Sequence, residues 1–271
     1  MGALFSLLGS AIFWVATACV AFLWLPLTFL VWLATAWLDP GRFAVGLLLQ
    51  FGGVVATALQ PLWRLRLSGR WIADPRRPYV VVANHESMAD IFAICHLPWG
   101  MKWLAKREVF WIPPVGPMMA MAGFVGVVRK DRTSRARAFE LCRRRLEQRC
   151  PILIFPEGTR AVTRDLLPFR DGAFRLAIEA QVPILPVVVA GTRQVWPKGS
   201  LRLRPGRVRV HVLDPVPTEG LTDADVPVLR EEVRRRIARA REELWREMGL
   251  LQPEREGTAQ PARSSAHQST T

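Results

Sequence analysis

Tyr79-Val80-Val81-Val82-Ala83-Asn84-His85-Glu86-Ser87-Met88-Ala89-Asp90 is the stretch whose reading decides the fold. Its first five residues are a short β-rich run, which reads as a buried strand. A polar loop follows, and then an apolar helical stretch to about Cys95. Strand, polar loop and helix together make the unit from which α/β domains are built, and their sites gather at the carboxyl ends of the strands. The same grammar recurs downstream. Pro151-Ile152-Leu153-Ile154-Phe155 reads as a strand that runs into Pro156-Glu157-Gly158-Thr159-Arg160. Residues 184–189 and 208–213 read as further strands, residues 172–180 as a helix, and residues 223–249 as a long charged amphipathic helix. Over residues 133–150, Phe139, Cys142, Leu146 and Cys150 share one face of a helix and arginines cover the rest. The expectation is an α/β domain with a largely parallel sheet flanked by helices.

Outward from this core the composition divides the chain. Residues 1–38 contain no Asp, Glu, Lys or Arg, whereas charge is dense from Arg64 onward. An apolar run of that length exceeds the ~20 residues needed to cross a bilayer. Pro26 lies within it, and Trp14, Trp24, Trp32 and Trp37 suit membrane interfaces. The run lacks a basic leader and is too long for the apolar part of a signal peptide. Residues 43–63 are again uncharged but are diluted by Gly46, Gln50, Gly52, Gly53 and Gln60. They fit either the return limb of a hairpin or a helix lying in the interface. The division expected is a membrane-anchoring segment of one or two helices over 1–63, a catalytic-type α/β domain over 64–250, and a disordered Ser/Thr/Gln-rich tail over 251–271. Arg64, Arg66, Arg70, Arg76 and Arg77 follow the anchor directly and place the domain on the cytoplasmic face of the cytoplasmic membrane.

The net charge of +14 calls for an anionic partner. With a greasy N-terminus and no nucleic-acid-binding signature, a membrane surface or phosphorylated substrate fits and nucleic acid does not. Cys19, Cys95, Cys142 and Cys150 form no CxxC pair, and no histidine stands at metal-ligand spacing beside them. Free thiols and no metal are expected.

Two loops carry the chemistry. His85 follows the strand, and Asp90 lies five residues on. On one continuous helix they would point about 140° apart, so they meet only if the chain turns between them. Ser87 as an N-cap would supply the turn and leave Asp90 in the first helical turn. A carboxylate on one imidazole nitrogen fixes the tautomer and stabilises the imidazolium formed when the other nitrogen takes a proton. That is a general base for a hydroxyl. Ser87 and Asp90 also fit a plain helix cap. In the second loop, Gly158 allows close backbone approach, Thr159 and Arg160 suit phosphate oxygens, and Glu157 suits a polyol hydroxyl. A simple turn with a surface arginine would look the same.

Taken together, Asn84-His85-x-Ser87-x-x-Asp90 and Phe155-Pro156-Glu157-Gly158-Thr159-Arg160 resemble the glycerolipid acyltransferase family. Residues 123–129, ending in Arg129, resemble the family's second block, and residues 182–187 its last apolar block. Lys102 and Lys106 ahead of Ile112-Pro113-Pro114-Val115-Gly116 are similar to its lysine-rich turn. The likeness extends over residues 65–249. It implies that His85 and Asp90 are catalytic, and that Arg129, Glu157, Gly158, Thr159, Arg160 and Lys106 bind substrate. The acceptor it implies is a lysophosphatidic-acid-type lipid, and the donor an acyl thioester on coenzyme A or acyl-carrier protein, with no cofactor. Ala161 and Asp171 depart from the pattern, where a serine and a basic residue are common. The uncharged residues 109–128, with Met118, Met119 and Met121, fit either ordinary core or an acyl channel. Three rivals remain from sequence: an acyl-thioester hydrolase, a non-catalytic lipid-binding protein, and an acyltransferase for another lysolipid such as a lyso-ornithine lipid.

Overall fold

The computed structural model describes residues 2–59, 61–161 and 163–251. The tail expected over 251–271 lies outside the described residues except for Leu251. The first two elements are apolar helices, α1 (Gly2–Thr35) and α2 (Phe43–Ala58). The domain follows as β1 (Trp63–Gly69), β2 (Val80–Ala83), α3 (Ala89–Ile94), β3 (Lys102–Lys106), α4 (Val115–Met121), β4 (Val125–Val127), α5 (Arg132–Glu147), β5 (Ile152–Ile154), α6 (Gly172–Glu179), β6 (Ile184–Ala190), α7 (Thr192–Val195), β7 (Gly206–Val212) and α8 (Val226–Glu247). A short 3-10 turn, Arg107–Trp111, joins β3 to α4.

The seven strands form one sheet in the order β1-β7-β6-β2-β5-β3-β4. Every pairing is parallel except β6 with β7, so β1 and β7 run against the other five. The expectation of a largely parallel sheet flanked by helices holds. Strand β2 lies between β5 and β6 with all four residues buried, as a continuous apolar run without alternation requires of a strand covered on both faces. Its even residues, Val80 and Val82, join a core closed by α5, α6 and α8. Its odd residues, Val81 and Ala83, join a second core that includes Phe13 of α1, Trp99, Trp103 and Trp196. The sheet therefore has a face toward the charged helices and a face toward the apolar N-terminus.

Among the described residues α1 is the one helix long and apolar enough to cross a membrane. At 34 residues it spans about 51 Å. It does not stand apart from the domain. Leu203 N–H donates to Ser10 Oγ at 2.8 Å, and Trp14 Nε1 donates to the Leu201 carbonyl at 2.8 Å. Phe13 is fully buried against Trp14, Trp63, Phe92 and Trp196. The outward side of α1, including Leu4, Phe22, Leu23 and Leu30, stays exposed.

The turn between α1 and α2 is clasped. Three successive carbonyls are taken by side chains from three parts of the domain: Pro40 by Arg145 Nη1 at 3.0 Å, Gly41 by Cys150 Sγ at 3.4 Å, and Arg42 by Lys102 Nζ at 2.6 Å. Lys102 is wholly buried, and burial pulls its ammonium down to about 8. Gly46 makes the room, since a Cβ there would lie 2.5 Å from that nitrogen. Both α1 and α2 are thus fastened to the domain.

Candidate active site

The site begins where β2 ends. Asn84 is buried, and its amide makes a reciprocal pair with Val189 of β6: Nδ2 donates to the Val189 carbonyl and Oδ1 accepts from Val189 N–H, both at 2.8 Å. This fastens the exit of β2 to its neighbour. His85 is the next residue. Its Nδ1 stands 2.7 Å from Asp90 Oδ2, and its ring stacks on Phe155 with centroids 4.1 Å apart. Asp90 is fully buried, and the same Oδ2 accepts the backbone N–H groups of Glu86 at 2.7 Å and Ser87 at 2.9 Å. Ser87 Oγ accepts from Ala89 N–H at 3.1 Å and donates to the Trp196 carbonyl at 2.6 Å. The turn predicted between His85 and Asp90 is present, and the capping arrangement and the histidine–carboxylate pair are the same structure. A carboxylate at Nδ1 draws the ring proton to that nitrogen and leaves Nε2 as the acceptor. The His85 side chain is 13% exposed, so the ring is held by the protein with one edge open.

The second loop is tied to the first. The His85 carbonyl accepts from Ala161 N–H at 2.8 Å. Glu157 Oε1 accepts from His85 N–H at 2.8 Å, and Oε2 accepts from Leu167 N–H at 3.0 Å. Glu157 was expected to take a substrate hydroxyl. Instead it is 3% exposed, and each of its oxygens is engaged by a backbone amide inside the protein. Burial raises its pKa, and the two amides oppose that rise. Gly158 has φ +69, in the left-handed region, and a Cβ there would lie 2.9 Å from Arg170 Nε. Thr159 is exposed and Arg160 half-buried, and Arg160 forms no ion pair among the described residues.

A cavity of about 820 Å³ opens beside these loops, in the range of small-molecule sites. Its floor is apolar, with Val127, Phe139, Ile154 and Leu176. Its rim carries Arg129, Arg132, Arg135, Arg170 and Arg175. Phe155 belongs to its wall as well as to the His85 stack, so cavity and histidine adjoin. Two acids in the wall are already matched, Asp171 by Arg230 at 2.5 Å and Glu140 by Arg143 at 2.9 Å, while a third, Glu179, forms no ion pair among the described residues. Arg129, Arg132 and Arg170 form no ion pair among the described residues, and Arg129 is held below its ordinary pKa by partial burial and then by repulsion from Arg170. Of the residues expected to bind substrate, Arg129 and Gly158 line the cavity, while Lys106 is exposed and pairs with Glu108 at 3.0 Å. Met118 and Met119 of α4 are buried, whereas Trp111 and Ile112 just before it are exposed.

The description "Acyltransferase" belongs to the family model that matches residues 64–190, which hold both loops and the sheet from β1 to β6. Residues 64–190 form a domain of the acyltransferase family. Over 174 residues the chain is 41% identical to 1-acyl-sn-glycerol-3-phosphate acyltransferase alpha of Homo sapiens, covering 63% of this chain and 61% of that protein. It is 37% identical over 167 residues to 1-acyl-sn-glycerol-3-phosphate acyltransferase of Saccharomyces cerevisiae, 59% of this chain and 54% of that one. The chain thus spans about 60% of the length of the first of these curated relatives. The crystal structure of the 1-acyl-sn-glycerophosphate (LPA) acyltransferase PlsC from Thermotoga maritima superposes with a TM-score of 0.75 at 27% identity, covering 90% of this chain and 98% of that one. Since 90% of this chain is more than residues 64–271 hold, the likeness extends into residues 1–63 as well as over the matched domain.

Three site features of the acyltransferase domain escaped the sequence reading. One is Phe155 as the stacking partner of His85. Another is the arginine rim beyond Arg129, drawn from α5, α6 and the loop before α6. The third is a buried ion pair, Glu86 with Arg241 of α8, whose partners lie 155 residues apart. Glu86, between His85 and Ser87, was the one visible signal, because a charged residue in a buried loop demands a partner.

Proposed function

We propose that this chain transfers a fatty-acyl group from an acyl thioester to the sn-2 hydroxyl of 1-acyl-glycerol-3-phosphate, giving phosphatidic acid. The observation that carries the reading is the His85–Asp90 pair at 2.7 Å, held at a strand end beside a cavity whose rim holds Arg129, Arg132 and Arg170 without ion pairs among the described residues. The names of the relatives support it.

In this reading His85 Nε2 takes the proton of the acceptor hydroxyl while Asp90 steadies the growing positive charge on the ring. The oxygen attacks the thioester carbonyl, the tetrahedral intermediate collapses, and the carbon–sulfur bond breaks. The proton on His85 passes to the leaving thiolate, so the products are an ester and a free thiol and the base is regenerated. No side-chain nucleophile is needed, because the substrate brings its own hydroxyl. Arg129, Arg160 and Arg170 suit the phosphate groups of the two substrates, and Thr159 and Lys106 extend that polar surface. Gly158 lets the backbone come close. Glu157 serves by holding the two loops in register. The exposed apolar side of α1 seats the domain on the cytoplasmic membrane, where the lipid acceptor resides.

The test is thiol release by the detergent-purified protein, with a long-chain acyl-CoA or an acyl-carrier-protein thioester, with and without lysophosphatidic acid. Release that requires the acceptor and vanishes in His85→Ala supports the proposal. Release without acceptor identifies a hydrolase. Acceptor-dependent release with another lysolipid alone, such as a lyso-ornithine lipid, moves the acceptor assignment and leaves the chemistry in place.

A further inference from the structure

Arg241 is an unusual arginine. It is 5% exposed, lies on α8 outside the matched domain, and reaches both loops of the site. Its Nη1 stands 3.3 Å from Glu86 Oε1, and its Nη2 donates to the Arg164 carbonyl at 2.6 Å. Its guanidinium lies over the Trp245 ring, 4.3 Å from the centroid, which fixes the plane of the fork. Glu86 is 1% exposed. Its backbone N–H is one of the groups that hold Asp90 Oδ2, so the side chain gripped by Arg241 and the amide gripping Asp90 belong to one residue. Arg164 follows the Glu157–Arg160 loop. A second arginine, Arg193, reaches the same segment through the Thr163 carbonyl.

A buried ion pair rarely adds stability over a well-packed apolar pair of the same size, and breaking one partner alone is severe. This pair is also incompletely satisfied: Glu86 Oε2 and Arg241 Nε have no hydrogen-bond partner among the described residues. Such an arrangement is poor as a stabiliser. It is well suited to fixing one geometry among several.

We propose that Arg241 is a positioning residue for the acyl-transfer site, bracing the His85 loop through Glu86 and the Glu157–Arg160 loop through the Arg164 carbonyl. The proposal rests on the acyltransferase reading for its kinetic consequence and on geometry alone for its structural one. The groups that face Glu86 are Arg241 from α8, Asp90 from α3, Arg193 from α7 and Glu157 from the loop after β5. With Arg241 removed, three carboxylates crowd the base with one distant cation. The loop then relaxes, or Glu86 takes up a proton and releases its grip.

Hydrogen–deuterium exchange and kinetics on the full-length protein in detergent test this together. In Arg241→Met, peptides containing Glu86 and Arg164 should both exchange faster while peptides from β7 do not. In Glu86→Gln, the Glu86 peptide should loosen and the Arg164 peptide should hold, because Nη2 keeps its carbonyl. The kinetic expectation is a kcat at least 10-fold lower in Arg241→Met, KM for both substrates within 3-fold, and a larger share of thioester lost to water. Arg241→Lys should recover part of kcat. Removing Arg241 in a Glu86→Leu background should cost far less than in wild type. Exchange unchanged at both loops in Arg241→Met overturns the proposal. So does an activity loss that equals the loss of folded protein, with kcat and partition per folded molecule unchanged. If wild type transfers no acyl group, the acyltransferase reading fails and the exchange pattern still decides whether Arg241 braces the loops.

Discussion

The His85 loop and the rim of the neighbouring cavity use similar polar residues and treat them oppositely. In the loop most groups are engaged, Asp90 Oδ1 and Glu86 Oε2 being exceptions: Asp90 Oδ2 accepts from two backbone amides and faces the imidazole, Glu157 accepts from two amides, and the side chains of Asn84 and Ser87 each make two hydrogen bonds. At the rim, Arg129, Arg132 and Arg170 have no carboxylate among the described residues, although Glu140 and Asp171 stand close by and are taken by other arginines. A base must be oriented before the reaction, so its polar groups are satisfied by the protein. Cations meant for a ligand must wait for one, so theirs are left open.

The largest way to break this contrast is at the base. His85→Ala should lower kcat by about 10³-fold or more with little change in melting temperature, since the ring makes one side-chain hydrogen bond and one stack. Acceptor-dependent thiol release measures it. The next effect concerns Glu86. Burial first, opposed by Arg241, raises its pKa from 4.5 to about 7. A carboxyl whose pKa is raised on folding stabilises the fold below its unfolded value, and that contribution is lost as pH rises through the folded value. The protein should therefore lose on the order of 3 kcal/mol between pH 4.5 and pH 7.5 from this group. Denaturant titrations should show the slope, and Glu86→Gln should flatten it.

At the rim the expected effect is on binding. Arg129→Ala should raise KM for a phosphorylated substrate by about 10-fold, leave kcat within a few-fold, and weaken the salt dependence of kcat/KM. An equal fall in kcat would show that Arg129 belongs with the preorganised loop. The smallest effect lies at the start of α5, a helix that borders the cavity. Asp131 caps α5 by accepting from Thr133 N–H at 2.9 Å. Asp131→Ala should cost about 1 kcal/mol of stability and leave KM unchanged.

The same contrast explains how much was legible in the sequence. The His85 loop could be read because its contacts are local: Ser87 and Asp90 serve the residues beside them, and Val80 to Ala83 announce a buried strand. The site's long-range half could not. Strands β1, β3 and β4 were not anticipated, because Trp63–Gly69 is half arginine and polar, and Val125–Val127 is three residues long. The reversed direction of β7 has no local signature. The two backbone amides that meet Glu157 were not legible for a related reason, since a carboxylate in a loop looks the same whether a ligand or a distant amide will meet it. Arg241 shows the limit most clearly. On its helix it is one arginine among several, and only tertiary packing gives it Glu86.

The clasp on the turn between α1 and α2 has a consequence for how deep the proposed acyl transfer would take place. Three carbonyls in a row, gripped by Arg145, Cys150 and Lys102, tie the greasy helices to the domain at three points. Whatever level α1 adopts in a lipid layer is passed rigidly to His85. In the proposed reaction, the reach of the imidazole would then be a built-in ruler measured from the bilayer surface, and a hydroxyl would be acylated only if its headgroup brought it to that height.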